Sequence, residues 1–204
     1  MSRRLGSERV CAIEPAPQFA QTCRERVPGA DVRTGPAEQL PWSDAEFDLA
    51  LAQLVVPFMA DADRGAAEMR RVVRPGGTVA LCMWDAGAAM EMAHLFWQAA
   101  AEHDRGLDGR DPMHYRTDAE LRALSTRVGL KDIQSSTLAL RVRYSDFDDL
   151  WDSIVHGAGT IGGYMAALDA ERRALVRESC RRRLGNPQGP FELSARANAV
   201  RGRT

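Results

Sequence analysis

The 204-residue sequence predicts an α/β protein with a doubly wound, mostly parallel sheet and an antiparallel strand pair at its carboxyl-terminal end. Three observations carry that prediction. Short, almost wholly apolar runs alternate with segments of helical periodicity through the first 85 residues, as parallel strands buried on both faces do. Gly/Pro punctuation separates them at Pro28-Gly29, Gly35-Pro36 and Pro75-Gly76-Gly77. Beyond residue 130 the pattern changes to two segments of alternating character.

Residues 9–14, Arg-Val-Cys-Ala-Ile-Glu, form the first apolar run and end in a carboxylate before Pro15 and Pro17. In residues 17–27, Phe19, Ala20, Cys23 and Val27 recur at helical spacing, and Pro28-Gly29 stops the helix. A second strand is expected over 30–34 and a third over 47–55, joined by the loop Ala37-Glu-Gln-Leu-Pro-Trp-Ser-Asp44. Residues 61–73 read as a helix that starts acidic and ends in arginines, matching the helix dipole at both ends. Pro75 cannot continue it, and the paired glycines turn the chain into a fourth apolar strand over 78–84. After Asp85 a helix is expected over 90–102, a polar connection over 105–116, and a helix over 117–128 opened by a capping box, Thr117 with Glu120. An extended segment covers 131–144, its alternation clearest in Leu138, Leu140, Val142 and Tyr144. Helices over 147–156 and 169–184 enclose a glycine-rich loop, 157–163, and residues 191–200 alternate again as the closing strand.

Composition narrows the function classes. Hydrophobic residues at 45% and charged residues at 27% are those of an ordinary globular chain, long enough to need neither disulfide nor metal for a core. A formal net charge of -1 gives no reason to expect a nucleic-acid partner. Cys11, Cys23, Cys82 and Cys180 are far apart, form no zinc or disulfide framework, and favour a reducing, cytoplasmic setting, with Cys11 and Cys82 expected as buried free thiols. No apolar stretch approaches the roughly 20 residues of a membrane span. Lys131 is the only lysine among many arginines, a bias of GC-rich bacterial genomes.

Three motifs, in this order, resemble the class I S-adenosylmethionine-dependent methyltransferases of the methyltransferase type 11 kind. They are the apolar strand ending in Glu14, the loop Gly35-Pro-Ala-Glu-Gln-Leu-Pro-Trp42, and Glu68-Met-Arg-Arg-Val-Val-Arg-Pro-Gly-Gly77. The resemblance implies a Rossmann-like fold and S-adenosylmethionine as cofactor. It implies that Glu14, with Pro15 beside it, meets the ribose hydroxyls, since a carboxylate's two oxygens suit a cis-diol. It implies that Ala37 or Glu38 offers the adenine a backbone N–H, that Leu40 covers the ring, and that Gln53 touches the methionyl portion. Pro36 stands where the family commonly has an Asp for the adenine amino group. Glu68 is expected to pair with Arg71 or Arg74 along its helix. On this reading residues 1–204 are one methyltransferase-like domain, with 1–85 on the cofactor side and 86–204 supplying substrate-side helices and closing strands.

One part of the family pattern is missing. The family opens with a strand and a Gly-x-Gly-like turn just upstream of the Glu14 strand, and here Leu5-Gly6-Ser7-Glu8 looks like the tail of the first helix instead. The absent strand belongs between the 9–14 and 47–55 strands, so its omission exposes two strand edges. A fragment of a longer gene product is the favoured explanation, and the chain as given is expected to bind the cofactor weakly or not at all. The expected partner is a small-molecule methyl acceptor, with no nucleic acid and no membrane, and exposed edges permit self-association. Candidate bases are His94, His103, His114, His156, Tyr115 and Tyr164, and none is singled out as catalytic; Trp84-Asp85 is a candidate lining of the substrate mouth. The alternative is a non-catalytic interaction module derived from the same fold; a nicotinamide dehydrogenase ranks below both, because it has no use for the Leu-Pro-Trp loop.

Overall fold

The structure is a computed structural model describing residues 2–85, 90–107, 114–156 and 160–204. The chain divides into two compact units interleaved along the sequence: residues 1–83, 114–136 and 199–204, and residues 84–113 and 137–198.

In the first unit, a short helix α1 (Ser2–Leu5) and a 3-10 turn lead into β1 (Cys11–Glu14), α2 (Pro17–Arg26) and β2 (Asp31–Thr34). Strands β1 and β2 pair in parallel, Glu14 opposite Thr34. β3 (Phe47–Gln53), α3 (Ala62–Val72) and β4 (Val73–Trp84) follow, and β3 and β4 also run parallel. α5 (Asp118–Arg127) opens on the expected capping box, Thr117 and Glu120 exchanging both bonds. Asp61 caps α3 by accepting from the Arg64 N–H. A bidentate pair, Arg127 on Asp63 at 2.7 and 2.9 Å, joins α5 to α3.

The strands fall into two sheets. β1 and β2 form a two-stranded sheet, while β3, β4, β6 (Phe191–Arg203) and β5 (Lys131–Tyr144) form a four-stranded one in the order β3-β4-β6-β5. β1 does not re-pair with β3. The apolar strand β3 is left with Leu49 37% and Leu51 49% exposed, well above what a central parallel strand shows.

The Arg74–Gly77 turn is not a break before the fourth strand. β4 runs through it as a bulge, with the pairing jumping from Phe47↔Val73 to Leu49↔Thr78. Glycine is required there: Gly76 has φ 76°, and a Cβ on Gly77 would lie 2.8 Å from the Asp48 carbonyl oxygen. Arg74 turns away from Glu68 and pairs with Asp48 at 2.6 Å, while Glu68 takes Arg71.

In the second unit α4 (Glu91–Ala101), α6 (Phe147–Val155), α7 (Thr160–Ala167) and α8 (Ala170–Arg183) pack around Phe96, Phe147, Leu150 and Ile154, all at most 1% exposed. The expected glycine loop is not a loop throughout: residues 157–159 lie outside the described set, and 160–163 open helix α7. Most of the expected polar connection, 108–113, also lies outside it. On β5 the alternation is real but faces outward, with Leu138, Leu140 and Val142 at 53, 44 and 40% exposure and only Tyr144 buried. β5 ends the strand order, and so has a sheet neighbour on one side only. All four cysteines are free; Cys11 and Cys82 are half-buried, and only Cys180 is fully buried, its thiol pushed up to about 12 by desolvation.

One polar knot ties α4 to α8. The buried Ser179 hydroxyl donates to Glu102 at 2.7 Å, so His103 Nε2, 2.9 Å from the same oxygen, must be the donor in that contact. Arg182 and Arg183 add bonds of 2.6 Å each to the Glu102 carboxylate. The Ser179 hydrogen bond first, then the two guanidiniums, hold Glu102 at about 2 rather than 4.5, against the opposing pull of desolvation. A depressed acid stabilises the fold above its unfolded value, and that contribution is lost as pH falls from about 4.5 toward 2. Denaturant midpoints measured across that window should therefore fall more steeply in the native protein than in Glu102→Gln; parallel slopes would remove Glu102 from the acid response.

Candidate functional site

The site starts from parallel pairing. Because β1 and β2 run parallel with Glu14 opposite Thr34, both strands end at one rim, and the loop from Gly35 leaves there. The Gly35 N–H donates to the Glu14 carbonyl at 3.1 Å, fixing the loop's start beside the candidate acid. The Glu14 side chain is half-buried, and its Oε1 accepts the Ala16 N–H at 3.0 Å across Pro15, which is exposed. One carboxylate oxygen is thus spent on holding the strand-to-helix turn. The other carboxylate oxygen takes no part in that bond.

Loop residues 36–46 are fastened to α3 by a ladder of specific bonds. Ala37 packs toward Gly65, where an added Cβ would sit 3.7 Å from the Ala37 Cβ. Glu38 accepts the Asp61 N–H at 3.0 Å through its side chain, so its carboxylate serves the helix start. Leu40 points inward, 9% exposed, and its N–H donates to Glu68 Oε2 at 2.9 Å. Arg71 gathers the rest: it donates to the Leu40 carbonyl at 3.0 Å, the Trp42 carbonyl at 2.9 Å, Asp44 at 2.7 Å and Glu68 at 2.6 and 2.8 Å. The Arg71 fork is the first cause that holds Glu68 below the usual carboxylate range, opposed by burial. In turn Glu68 and Asp44 raise Arg71 further above its already high value.

Gln53 ends β3, opposite Cys82, and is exposed. The next residue, Leu54, has φ 62°, a left-handed conformation rare for a branched side chain, and its N–H donates to the Cys82 carbonyl at 2.8 Å. Strain at a strand tip beside a candidate site is a recurrent feature of ligand clamps. No turn residue in the sequence marks it.

The candidate bases have structural partners. His94 meets Gln98 at 2.8 Å, His156 Nδ1 lies 3.0 Å from the Asp152 carbonyl, and His114 is exposed near Glu120. Tyr164 donates to Asp104 at 3.2 Å, Tyr115 bonds Arg127, and Asp85 holds Arg196 at 2.5 Å. No group of three or more potential metal ligands occurs among the described residues, and no helix there is long and apolar enough to cross a membrane.

The strand order and the acid-tipped rim define a protein of the class I methyltransferase fold. Residues 1–81 match the family model described as a methyltransferase domain, and over that stretch the chain is similar to that family. It is 33% identical over 95 residues to malonyl-[acyl-carrier protein] O-methyltransferase of Serratia marcescens, covering 47% of this chain and 37% of that protein. With the protein of the same name from Dechloromonas aromatica the identity is 29% over 157 residues, covering 76% of this chain and 57% of the other. The chain therefore spans between about a third and a little over half of these relatives. A putative methyltransferase from Bacillus halodurans superimposes with a TM-score of 0.56 at 12% identity, over 95% of this chain and 82% of that one. A phosphoethanolamine N-methyltransferase from Haemonchus contortus, solved with phosphomonomethylethanolamine and S-adenosylhomocysteine, gives 0.56 at 13% identity, over 100 and 46% of the two chains. The cofactor that the family implies is S-adenosylmethionine.

Fit to that cofactor differs between its two ends. The half-buried Glu14 carboxylate, with one oxygen uncommitted to Ala16, and the loop that starts beside it fit a ribose and an adenine. Ahead of β1, where the family places its glycine-rich turn, the chain forms α1, Gly6 at φ 87° and a 3-10 turn over Ser7–Arg9. Nothing in that stretch cradles a methionyl group.

Removing the Arg71 fork should free the loop. Arg71→Ala is expected to lower stability by about 1–3 kcal/mol, the range for stranding a hydrogen-bonded charged partner. It should also raise hydrogen exchange across residues 36–44. Arg71→Lys should recover little of either, because an ammonium cannot fork; full recovery would show that charge alone holds the loop.

Proposed function

We propose that the chain is the body of an S-adenosylmethionine-dependent methyltransferase acting on a small molecule in the reducing cytoplasm, and that as given it holds the cofactor poorly. Residues 1–85 supply the cofactor side and 86–204 the acceptor side of one methyltransferase-like domain. The observation that supports this reading is the rim where Glu14 and the Gly35–Leu40 loop begin together. In this proposal Glu14 holds the ribose hydroxyls with Pro15 shaping the turn, the Ala37 or Glu38 N–H meets the adenine, Leu40 backs the ring, and Gln53 reaches the methionyl end.

When bound, S-adenosylmethionine supplies an electrophilic methyl group on sulfur. The protein's part is to hold that group in line with the acceptor. Glu14 orients the adenosyl portion, and the bonded loop keeps that orientation without reordering on binding, which reduces the entropic penalty.

A second reading, a non-catalytic interaction module, is favoured by one observation: β3 has a sheet neighbour on one side only and exposes Leu49 and Leu51. It requires association, so a strictly monomeric chain by light scattering would count against it.

Titration calorimetry tests the first reading. S-adenosylmethionine should bind the 204-residue chain weakly or not at all, and micromolar binding would overturn the impairment. In a form extended at its amino end by a strand and Gly-x-Gly turn, binding should appear, and Glu14→Ala should weaken it at least tenfold. Unchanged binding in that variant would remove Glu14 from the ribose site.

A further inference from the structure

Where β4 leaves its glycine bulge, β6 and β5 bring together polar side chains that the methyltransferase reading does not use. On β6, Val200 is 1% exposed, and a Cβ on Gly202 would lie 2.8 Å from the Leu130 Cβ, so that side of the strand is packed. Arg201 and Arg203 share the opposite side, and both are exposed. Arg201 donates to Gln134 Oε1 from Nε at 3.2 Å and from Nη2 at 2.7 Å. Arg203 Nη1 donates to the Gly76 carbonyl at 3.1 Å and to the Thr78 hydroxyl at 3.0 Å. With Thr78, Gln134 and Asp132, the two arginines line a concavity of about 470 Å3.

These bonds orient both guanidiniums while leaving part of each fork for a ligand. Among the described residues, the hydrogen-bond partners of the two arginines are neutral oxygens. Arg201 Nη1, and Arg203 Nε and Nη2, take no part in those bonds. Alternate residues of a strand stand about 7 Å apart on one face, so the two forks can meet one tetrahedral anion from two sides. The polarity of this corner belongs to β6 itself. Arginine is almost never fully buried unless it is paired, so an apolar element laid over the sheet would still leave Arg201 and Arg203 to water or to an anion. Thr78 lies four residues, about 13 Å, before Cys82, the partner of Gln53, so the concavity is separate from the Gln53 contact assigned to the cofactor.

A guanidinium fork matches carboxylate or phosphate oxygens in pairs. One carboxylate is satisfied by a single fork, whereas the three terminal oxygens of a phosphate monoester serve two. We propose that this concavity is a binding site for a small phosphate monoester, gripped between Arg201 and Arg203. The Thr78 hydroxyl accepts from Arg203 and is left to donate its own proton to the anion. Asp132 is the acidic side chain among the described lining residues, and its backbone is left-handed at φ 49°. A free phosphate is repelled by that carboxylate, but hydroxyl groups on the body of an ester donate to it. Asp132 therefore selects a hydroxylated ester over the inorganic ion. The inference does not depend on cofactor binding.

The test titrates the full chain, without S-adenosylmethionine, with ribose 5-phosphate, inorganic phosphate and ribose. Binding is read from the arginine Nε–H signals in proton–nitrogen correlation spectra. Ribose 5-phosphate should shift the Arg201 and Arg203 signals and bind at least tenfold more tightly than inorganic phosphate, and ribose should shift neither. Arg201→Gln with Arg203→Gln should weaken the ester at least tenfold, with folding checked by circular dichroism. Arg141→Gln with Arg143→Gln, the same change of charge at two exposed positions of β5, should leave binding unchanged. Asp132→Gly, which suits the positive φ, should remove most of the preference for the ester. No shift at millimolar ester, equal weakening in both double variants, or equal affinity for the ester and inorganic phosphate would overturn the proposal.

Discussion

Arg71 fixes what the sheet does not. In a continuous doubly wound sheet the candidate acid and the neighbouring strands are held in register by backbone bonds. Here β1–β2 and β3–β4–β6–β5 are separate, so the route from the Glu14 rim to β3 runs through the loop of residues 35–46. That loop is anchored at one end by the Gly35 N–H on the Glu14 carbonyl and along its length by Arg71 and Glu68. A guanidinium suits this place because it is planar, stays charged and serves several acceptors at once. Its acceptors include two backbone carbonyls, so the restraint acts on the chain path and not merely on side chains. At the start of β3, Asp48 is held low first by Arg74 and, among smaller effects, by Arg9 just ahead of β1, which places the starts of the two strands within electrostatic reach.

Much of this was legible because the signals are local. Apolar runs bounded by Gly and Pro located β1 to β4, and capping chemistry located α5. The α/β class, with a parallel first half and a mixed larger sheet, was legible because it rested on the sequence of elements and not on any one contact. Local signals fail where the deciding partner is distant. The Arg74–Gly77 stretch reads as a turn after a helix, yet it becomes a bulge inside β4 because Val73 already pairs with Phe47. Residues 160–163 read as loop because glycine weakens helices, yet they start α7, which buries Met165 in the core of the second unit. The period of β5 was visible, but whether its apolar side is covered depends on a neighbour that the sequence cannot name.

The candidate site was legible in its residues and not in its orientations. Glu14 sits at the strand tip, as a carboxylate after an apolar run suggests. Leu40 is different: its motif marks it, but only the long-range bonds to Glu68 and Arg71, 28 and 31 residues away, turn its side chain inward. The side chain of Glu38 is likewise committed to the start of α3. In the proposed reading this leaves backbone donors, not side chains, to meet an adenine. That suits the chemistry, since ring nitrogens need a directed N–H and nothing charged.

Two kinds of order coexist in the first unit, and they have different energetic origins. The rim is held by charge-assisted hydrogen bonds that are complete within the chain. On β3, by contrast, Leu49 and Leu51 leave apolar surface unburied. Burying apolar area contributes about 25 cal/mol per Å2, so covering Leu49 and Leu51 alone is worth on the order of a few kcal/mol, comparable with a sizeable share of a domain's net stability. The unit therefore has most to gain where the sheet is bare, not at the cofactor rim.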